Sequence, residues 1–349
     1  MRSWQIVKFG EPLEMAEKAD PEPKGKEVLL RVTSCGVCHS DLHLWDGYFD
    51  MGAGNKMSLE GRMPLPFTMG HETLGEVIAL GPDASGVEVG DMRIVFPWIG
   101  CGECAVCQRG EELLCMAPQT IGTRYSGGYS DRVVVPDAKY LVAFDGISEE
   151  RACTYACSGI TAYSALSKLQ RKSPDDYVLI VGSGGVGLNG IAMFSAISDA
   201  KLIVADMDDS KLELAKAAGA DFVINNSEEG AARKIKEISG GGVSGAVDFV
   251  GAPGSSGFAM QSMCKGGHLV VVGLFGGGLQ IPLVSFPLQM LTIQGSYVGT
   301  LQDLEDVVAL AQAGKIHDMP VVGRPISEVN AILNELKDGK VDGRVVLKP

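Results

Sequence analysis

The chain has 349 residues, more than one hydrophobic core usually holds, so we expect two domains. With 46% apolar and 21% charged residues it is typical of a globular protein, and its net charge of −13 argues against nucleic acid or an anionic membrane as a partner. No apolar run is long enough for a membrane helix, and the first residues lack the apolar core of a signal peptide, which favours a cytoplasmic protein. Nine cysteines in a cytoplasmic chain indicate metal binding rather than disulfides.

The first 34 residues alternate short apolar segments with proline and glycine, a pattern that predicts strands of a β-rich domain. Two cysteines and two histidines follow within residues 35–43, and His71 and Cys157 come later. A catalytic zinc site needs about three protein ligands and one open position, and Cys38, His71 and Cys157 would form a Cys₂His site. Spacing alone leaves open the alternative that these are core side chains, because distant ligands have no fixed separation.

Four cysteines lie within fifteen residues and bracket a glycine-containing loop: Cys101, Cys104, Cys107 and Cys115. Thiolates this close can form a tetrahedral shell that leaves no position for a substrate. An iron–sulfur cluster is the alternative, since its bacterial motif shares the spacing of the first three cysteines, but that motif places the fourth after three residues and a proline after it. Here seven residues separate Cys107 from Cys115, and no proline follows Cys115. We therefore predict structural zinc in a surface lobe of about residues 100–116.

The most informative pattern lies between residues 177 and 211, where an apolar strand run leads into a GxGxxG turn, a helical run and a second strand. Such a turn holds a cofactor pyrophosphate through backbone N–H groups and the helix N-terminus. Asp206 ends the second strand nineteen residues past the last glycine, where a carboxylate that binds a ribose 2′-OH is expected. The predicted dinucleotide contacts in this stretch are Gly182, Gly184, Gly185, Val186, Gly187 and Asp206.

Helical and strand patterns continue to alternate after this stretch, which predicts a Rossmann fold, a doubly wound parallel sheet of about six strands. From about residue 297 two helices and a closing strand follow, and we expect them to return to the first domain. The predicted boundaries are residues 1–158 for the β-rich domain, 159–296 for the dinucleotide domain and 297–349 for the C-terminal return.

These motifs together resemble the zinc-dependent alcohol dehydrogenases of the medium-chain dehydrogenase/reductase superfamily, over essentially the whole chain. The resemblance rests on GVCHSDLH, GHE, the four-cysteine lobe, ACSGITAY, GSGGVG with Asp206, and GSYVGT near residues 295–300. It implies a β-rich GroES-like catalytic domain, NAD as cofactor, and two zinc ions per chain, one catalytic and one structural. The implied reaction is reversible oxidation of a primary or secondary alcohol to an aldehyde or ketone, by hydride transfer from a zinc-bound alkoxide. The short segment after Cys115 implies the tetrameric type, with a homodimer as the alternative.

The resemblance also assigns roles around the catalytic zinc. It implies that Cys38, His71 and Cys157 are the ligands, and that Glu72 stands behind the metal as an occasional alternative ligand. Asp41 would be the carboxylate that orients His71, an arrangement common for metal-bound imidazoles.

Further roles concern proton transfer and the cofactor. By resemblance, Ser40 is the hydroxyl beside the substrate oxygen and His43 the histidine at the outer end of a proton relay. The implied cofactor contacts outside the glycine turn are His39, Lys211 and Arg344. Because Asp206 is followed by acidic residues and no arginine, a 2′-phosphate would be repelled, and NAD is expected rather than NADP.

One segment is longer than the resemblance leads us to expect, since 27 residues separate His43 from His71. The extra material, roughly residues 47–64, would form either a lid beside the substrate opening or a plain solvated loop. Its methionines, together with Trp45, Pro97, Trp98 and Tyr297, suggest an apolar pocket for medium-chain, cyclic or aromatic alcohols.

Two other functions are compatible with parts of the sequence. A zinc-free carbonyl or enone reductase would use its cysteines structurally, but both zinc motifs are present and argue against it. A non-catalytic nucleotide-binding protein on the same scaffold is disfavoured by the intact set of proposed ligands and relay residues.

Overall fold

The computed structural model describes residues 1–170 and 173–349. In these residues the strands are β1 (Arg2–Ile6), β2 (Glu14–Glu17), β3 (Val28–Gly36), β4 (Tyr48–Gly52), β5 (Asn55–Ser58), β6 (Phe67–Thr68), β7 (Glu72–Leu80), β8 (Met92–Val95), β9 (Arg132–Val135), β10 (Leu141–Val142), β11 (Tyr177–Val181), β12 (Lys201–Asp206), β13 (Phe222–Asn225), β14 (Val243–Asp248), β15 (Met263–Val271), β16 (Thr292–Gly295), β17 (Val321–Pro325) and β18 (Arg344–Lys348).

The helices of the described residues are α1 (His39–Asp46), α2 (Ala105–Gln108), α3 (Glu149–Thr154), α4 (Ile160–Ser167), α5 (Gly185–Ile197), α6 (Asp209–Ala217), α7 (Ala231–Ile238), α8 (Pro253–Ser262), α9 (Ser285–Gln289), α10 (Leu301–Gln312) and α11 (Val329–Lys337). None of them combines the length and the apolar character needed to span a bilayer. A short π-helical turn, Tyr155–Gly159, joins α3 directly to α4.

The β-rich part is built around a mainly antiparallel sheet in the order β10-β8-β7-β3-β18-β17, with β9 also paired to β3. The two last strands of the chain belong to this sheet, because β18 runs antiparallel to β3 and β17 lies parallel to β18. The C-terminal segment therefore pairs with the first part of the chain, as the sequence led us to expect. One of these strands was missed, since β17 contains glycine and proline and lacks a strand pattern.

The second large sheet is parallel, in the order β13-β12-β11-β14-β15-β16. Its central strands are almost wholly apolar and buried, which is typical of parallel sheets covered by helices on both faces. Two of its strands begin in glycine-rich stretches that are typical of loops, β14 at Val243 and β15 at Met263. The pairing of β14 with β15 shifts its register between Val243 and Gly245, where these early residues pair. The domain boundaries at residues 158 and 296 stay a prediction.

The two sheets present their functional loops to one cleft of about 1000 Å³. On the β-rich side α1 begins at His39 and ends at Gly47, which adopts a left-handed conformation that favours glycine (φ 77°). On the other side α5 begins immediately after β11 through the glycine turn. This arrangement places residues from distant parts of the sequence opposite one another.

Candidate functional site

The structure brings together the three residues predicted as catalytic zinc ligands. The ligand atoms of Cys38, His71, Glu72 and Cys157 all lie within 4.8 Å of one another, and the four residues are buried. Cys38 is the residue that caps α1, His71 directly precedes β7, and Cys157 lies in the π-helical turn. This convergence favours the ligand set over the alternative that these residues are core side chains, and the set stays a prediction.

Asp41 supports this cluster from behind, as predicted. One of its carboxylate oxygens lies 3.4 Å from His71 Nδ1. The other accepts hydrogen bonds from the Cys38 backbone N–H at 2.9 Å and the Tyr129 hydroxyl at 2.8 Å. Tyr129 was missed, because a single tyrosine in a glycine-rich segment 88 positions from Asp41 gives no signal in the sequence.

The donor set fits a zinc ion. His71 Nε2 is buried and has no hydrogen-bond partner among the described residues, an arrangement that is costly unless a ligand satisfies the nitrogen. A hydrogen bond from the Cys157 thiol holds the pKa of Cys38 well below its usual value, and His71 adds to this against the effect of burial. Thiolate and imidazole are the ligands that zinc prefers, so the cluster is suited to that metal.

Glu72 is close to the cluster, but its carboxylate oxygens already have partners. The Arg344 guanidinium pairs with one oxygen, and the Ser158 backbone N–H donates to the other at 3.3 Å. Burial raises the pKa of Glu72 to about 7, although Arg344 opposes this. These contacts hold the Glu72 carboxylate beside Cys38, His71 and Cys157, and its role as an occasional alternative ligand stays a prediction.

The predicted relay residues lie at the cleft. Ser40 Oγ is 3.7 Å from Cys38 Sγ, beside the proposed metal position. The ring of His43 stacks on that of Phe49, with centroids 4.8 Å apart, and its Nε2 is buried with no hydrogen-bond partner in the described chain. Burial lowers the pKa of His43 below its usual value. Phe49 lies in the insert, and nothing in the sequence indicated its contact with His43.

The insert forms a hairpin of β4 and β5 that contacts the parallel-sheet side of the cleft. The Gly277 backbone N–H donates to the Asp50 carbonyl at 3.4 Å, and a Cβ on Gly52 would lie 2.7 Å from the Gly278 nitrogen. The insert is thus an ordered hairpin and not a plain loop. Part of the apolar-pocket prediction is wrong, because the exposed Met51 and Met57 do not line the cleft.

The prediction of an apolar pocket also wrongly included Trp45. Its ring is buried beside α11, its indole N–H donates to the Glu11 carbonyl at 2.6 Å, and it does not line the cleft. Trp98 and Tyr297 do line the cleft, with ring centroids 5.6 Å apart.

The glycine turn has the geometry that a pyrophosphate requires. Gly182 has a φ of +90°, and a side chain on Gly187 would overlap the Gly182 carbonyl, so neither position tolerates another residue without strain. Asp206 accepts hydrogen bonds from the Ser183 backbone N–H at 2.7 Å and its hydroxyl at 2.9 Å. Ser183 was missed, because it is one of the variable positions of the motif.

Most predicted site residues share the wall of this one cleft: Cys38, His39, Ser40, His43, Cys157, Gly182, Gly184, Gly185, Val186, Gly187, Asp206, Lys211 and Arg344. Asp41, His71 and Glu72 are fully buried behind it. Thr161 was missed; its buried hydroxyl has no partner among the described residues and lines the cleft four positions after Cys157.

The four-cysteine lobe forms a separate cluster. The sulfur of Cys107 is 3.9 Å from that of Cys101 and 3.4 Å from that of Cys104, and the Cys104 and Cys115 sulfurs are 3.9 Å apart. A tetrahedral zinc with Zn–S bonds of about 2.3 Å implies a sulfur–sulfur separation of about 3.8 Å, and disulfide sulfurs would be about 2 Å apart. The spacing therefore fits a shared metal.

Two family models match the chain. The Alcohol dehydrogenase GroES-like domain matches residues 24–145 and the Zinc-binding dehydrogenase domain matches residues 185–313. The chain is 36% identical to an NAD-dependent alcohol dehydrogenase of Sulfurisphaera tokodaii, over 100% of both chains. It is 35% identical to an alcohol dehydrogenase of Geobacillus stearothermophilus, over 100% of this chain and 99% of that one.

Solved structures agree with these relationships. The alcohol dehydrogenase of the hyperthermophilic archaeon Aeropyrum pernix superposes with a TM-score of 0.91 at 30% identity, over 100% of both chains. A GroES-like domain, a Rossmann sheet and two metal-binding clusters define a zinc-binding dehydrogenase. The chain belongs to the alcohol dehydrogenases of this family. The predicted family, fold class and enzyme class are thereby confirmed.

Proposed function

We propose that this protein is an NAD-dependent zinc alcohol dehydrogenase, which oxidises a primary or secondary alcohol reversibly to an aldehyde or ketone. The observation that carries the proposal is that the Cys38, His71 and Cys157 cluster opens into the same cleft as the glycine turn and Asp206. A metal and a dinucleotide bound in this cleft would both contact the same substrate molecule. The relative named above as an NAD-dependent alcohol dehydrogenase supports this activity.

NAD is favoured over NADP by the charge at the end of β12. Asp206 lines the cleft, and Asp208 and Asp209 follow it after one intervening residue, Met207. These carboxylates would repel a 2′-phosphate, whereas Asp206 would accept a hydrogen bond from a free ribose 2′-OH. His39, Lys211 and Arg344 are proposed as further contacts, since each of them lines the cleft.

The residues around the cluster support the chemistry that an alcohol requires. Cys38, His71 and Cys157 would hold a zinc ion, which would supply the Lewis acidity that lowers the pKa of an alcohol, and bound NAD would supply the hydride acceptor. Asp41 keeps the His71 ring in place from behind. The Ser40 hydroxyl accepts the substrate proton, and His43, which burial keeps neutral, releases it at the outer end of the relay.

An apolar surface beside the cluster favours medium-chain, cyclic or aromatic alcohols. The Trp98 ring lies 5.3 Å from that of His71, and Trp98 is fixed by a hydrogen bond from its indole N–H to the Ala156 carbonyl at 2.9 Å. Tyr297 and Phe49 extend this surface along the cleft. Such a wall binds hydrocarbon and offers few hydrogen bonds to a polyol.

A cytoplasmic homotetramer, or a homodimer, is the proposed assembly. The strand β16 lies at an edge of the parallel sheet, and an edge strand offers unpaired backbone groups to a second copy. Large apolar side chains before this strand are exposed to solvent: Leu283, Val284, Leu288 and Met290. A patch of this kind is typical of a surface that another subunit covers.

The test is steady-state kinetics with NAD and a panel of primary, secondary, cyclic and benzylic alcohols, together with metal analysis. We expect NADH formation with at least one class, about two zinc ions per chain, and loss of turnover after chelation. A metal-free protein that keeps full turnover would instead favour the zinc-free reductases. Failure with every alcohol, with the metals in place, would contradict the proposed activity.

A further inference from the structure

An asparagine at the nucleotide end of the cleft has a side-chain amide without a partner. Asn226 directly follows β13 and lines the cleft together with Asp206. Its backbone N–H donates to the Asp206 carbonyl at 3.0 Å, which fixes this residue beside the end of β12. The side chain is half-buried, its Oδ1 is shielded from solvent, and the amide makes no hydrogen bond within residues 1–170 and 173–349. A shielded oxygen of this kind is costly unless a ligand satisfies it.

The preceding asparagine differs, because its amide is fully used by the protein. Asn225 Nδ2 donates to the Asp209 carboxylate at 2.7 Å and to the Met207 carbonyl at 3.3 Å. Its Oδ1 accepts from the backbone N–H of Ser227 at 3.0 Å and from the hydroxyl of the same residue at 2.6 Å. The side-chain hydrogen bonds that shape this turn therefore come from Asn225, and the turn does not need the amide of Asn226.

The place of the adenine base follows from the contacts proposed for the rest of the dinucleotide. A pyrophosphate at the glycine turn and a ribose 2′-OH on Asp206 put the base beyond the ribose, on the side away from the turn. β13 lies next to β12 on the side opposite β11, the strand that leads into the glycine turn. Asn226 is therefore within reach of the edge of the base. Met207 and Val250, which also line the cleft, offer apolar surface to its ring faces.

The other polar side chains at this end of the cleft are unsuited to the amino group of adenine. Lys211 lines the cleft, but an ammonium group carries donors only and cannot accept from an amino group. The Ser255 hydroxyl donates to the Asp248 carboxylate at 2.8 Å and accepts from the Ala252 N–H at 3.0 Å. The carboxylate at the end of β12 is the proposed partner of the ribose. Among the described side chains, the amide of Asn226 thus offers a free acceptor and a free donor together.

We infer that Asn226 recognises the adenine base of the cofactor, with its Oδ1 accepting from the 6-amino group and its Nδ2 donating to N7. A side-chain amide matches this edge of adenine, which presents one donor and one acceptor side by side. A base with a 6-oxo group, such as hypoxanthine or guanine, presents acceptors at both positions, so Oδ1 would face a second acceptor. This inference rests on the proposed function and adds to it a selection for adenine among dinucleotides.

The experiment compares the Kd of NADH with that of reduced nicotinamide hypoxanthine dinucleotide, measured by fluorescence titration of the zinc-loaded protein. We expect the wild type to bind NADH about tenfold more tightly, as is typical of one amide that reads one base. Asn226→Leu keeps the size of the side chain but removes its donor and acceptor, and should bring the ratio of the two Kd values to about one. Asn226→Asp keeps the acceptor and should retain the preference, although its charge beside Asp206 should weaken the binding of both dinucleotides.

The matched control is Asn334→Leu, which replaces an exposed asparagine on α11 that does not line the cleft and should leave both Kd values unchanged. Equal binding of the two dinucleotides by the wild type, or an unchanged preference in Asn226→Leu, would overturn the inference. Alcohol oxidation with NAD would in that case leave the proposed function intact. A protein that bound neither dinucleotide would contradict the proposed function, and the inference with it.

Discussion

The two cysteine-rich clusters use similar ligand atoms in opposite ways. The sulfurs of the lobe come from fifteen consecutive residues and close on one another, whereas the second cluster gathers Cys38, His71 and Cys157 from positions up to 119 residues apart. Four thiolates in a tetrahedral shell leave no open position for a substrate, although Cys115 itself lies at the wall of the cleft. The second cluster opens to the same cleft, to which Cys38 and Cys157 contribute directly.

The contacts that hold the two clusters in place also differ, since one set is local and the other comes from distant elements. In the lobe, backbone N–H groups donate to sulfur, from Cys101 to Cys115 at 3.3 Å and from Cys104 to Cys101 at 3.4 Å. In the buried cluster, side chains from other elements provide the support, among them Asp41 and Tyr129. A closed local shell contributes to stability, and an open cluster assembled by the whole fold can take part in chemistry.

Removal of a proposed ligand from the open cluster, formed by Cys38, His71 and Cys157, should have the largest effect on turnover. His71→Ala leaves two sulfurs that cannot hold the metal in the required geometry, so kcat should fall by at least about 1000-fold, as expected when several kcal/mol of Lewis-acid stabilisation is lost. NADH binding should persist, because the glycine turn and Asp206 are untouched. Metal analysis should find one zinc per chain, and fluorescence titration with NADH measures the binding.

A suitable control is Cys264→Ser, a cysteine outside both clusters, which should keep two zinc ions and normal turnover. If His71→Ala kept near-normal kcat after dialysis against a chelator, His71 would not be a ligand and the assignment of the open cluster would be wrong.

Substitutions behind the open cluster should have the next largest effect. Asp41→Asn keeps the shape of the side chain but removes the negative charge 3.4 Å from His71 Nδ1, and the loss of such a partner typically costs 10- to 100-fold in metal affinity or activity. Tyr129→Phe removes one hydrogen bond to Asp41 and should cost only about two- to fivefold. Competition with a chelator gives the zinc affinity. If Asp41→Asn kept the zinc affinity and the kcat of the wild type, the only role of Asp41 would be to cap α1.

Replacement of His43 should have a smaller effect that depends on pH. Burial lowers the pKa of His43, His39 adds to this, and Cys38 and Asp46 oppose it. The ring is therefore neutral at pH 7 and becomes charged only as the pH falls below about 6.5, so the acidic limb of kcat should lie below that value. His43→Gln should remove this limb and lower kcat about tenfold at pH 8. If His43→Gln kept the same acidic limb in its kcat–pH profile, that limb would arise from another titrating group.

Sequence reasoning selected residues that the fold brings together where a motif is local or where the family resemblance fixes a position. The lobe cysteines and the glycine turn needed only spacing, because their backbone geometry is set within a few residues. Cys38, His71 and Cys157 needed the resemblance, since their convergence depends on the register of strands far apart in the chain. The alternation of helical and strand patterns likewise indicated a parallel sheet of about six strands, but neither the order of its strands nor where β14 and β15 begin.

The residues that the sequence did not reveal act through tertiary contacts. Tyr129 matters because the fold places its hydroxyl 2.8 Å from Asp41, and Phe49 because its hairpin stacks it on His43. The π-helical turn that presents Cys157 has no helix or strand signal of its own. Trp45 was wrongly assigned to the pocket because an aromatic residue beside a motif can face either the cleft or the core.

Substitution in the closed cluster should have the smallest effect on turnover and so gives the sharpest contrast with His71→Ala. Cys104→Ser removes one of four thiolates, and we expect loss of one zinc and a decrease of about 5 °C or more in Tm, since a structural site contributes to folding. Differential scanning calorimetry and metal analysis measure both quantities, with Cys264→Ser again as the control.

Turnover should survive in Cys104→Ser because the lobe is also anchored without its metal. The Glu112 carboxylate accepts a hydrogen bond from the Tyr140 hydroxyl, outside the lobe, at 3.0 Å and one from the Gly100 N–H, at the edge of the lobe, at 2.8 Å. Leu113, next to Glu112, lies at the wall of the cleft. We therefore expect kcat within about threefold of the wild type, measured well below the lowered Tm, because the open cluster keeps its own support. A loss of both zinc ions, or a fall in kcat comparable to that of His71→Ala, would mean that the two clusters form one cooperative unit, and that a closed shell built from fifteen residues is not independent of the fold around it.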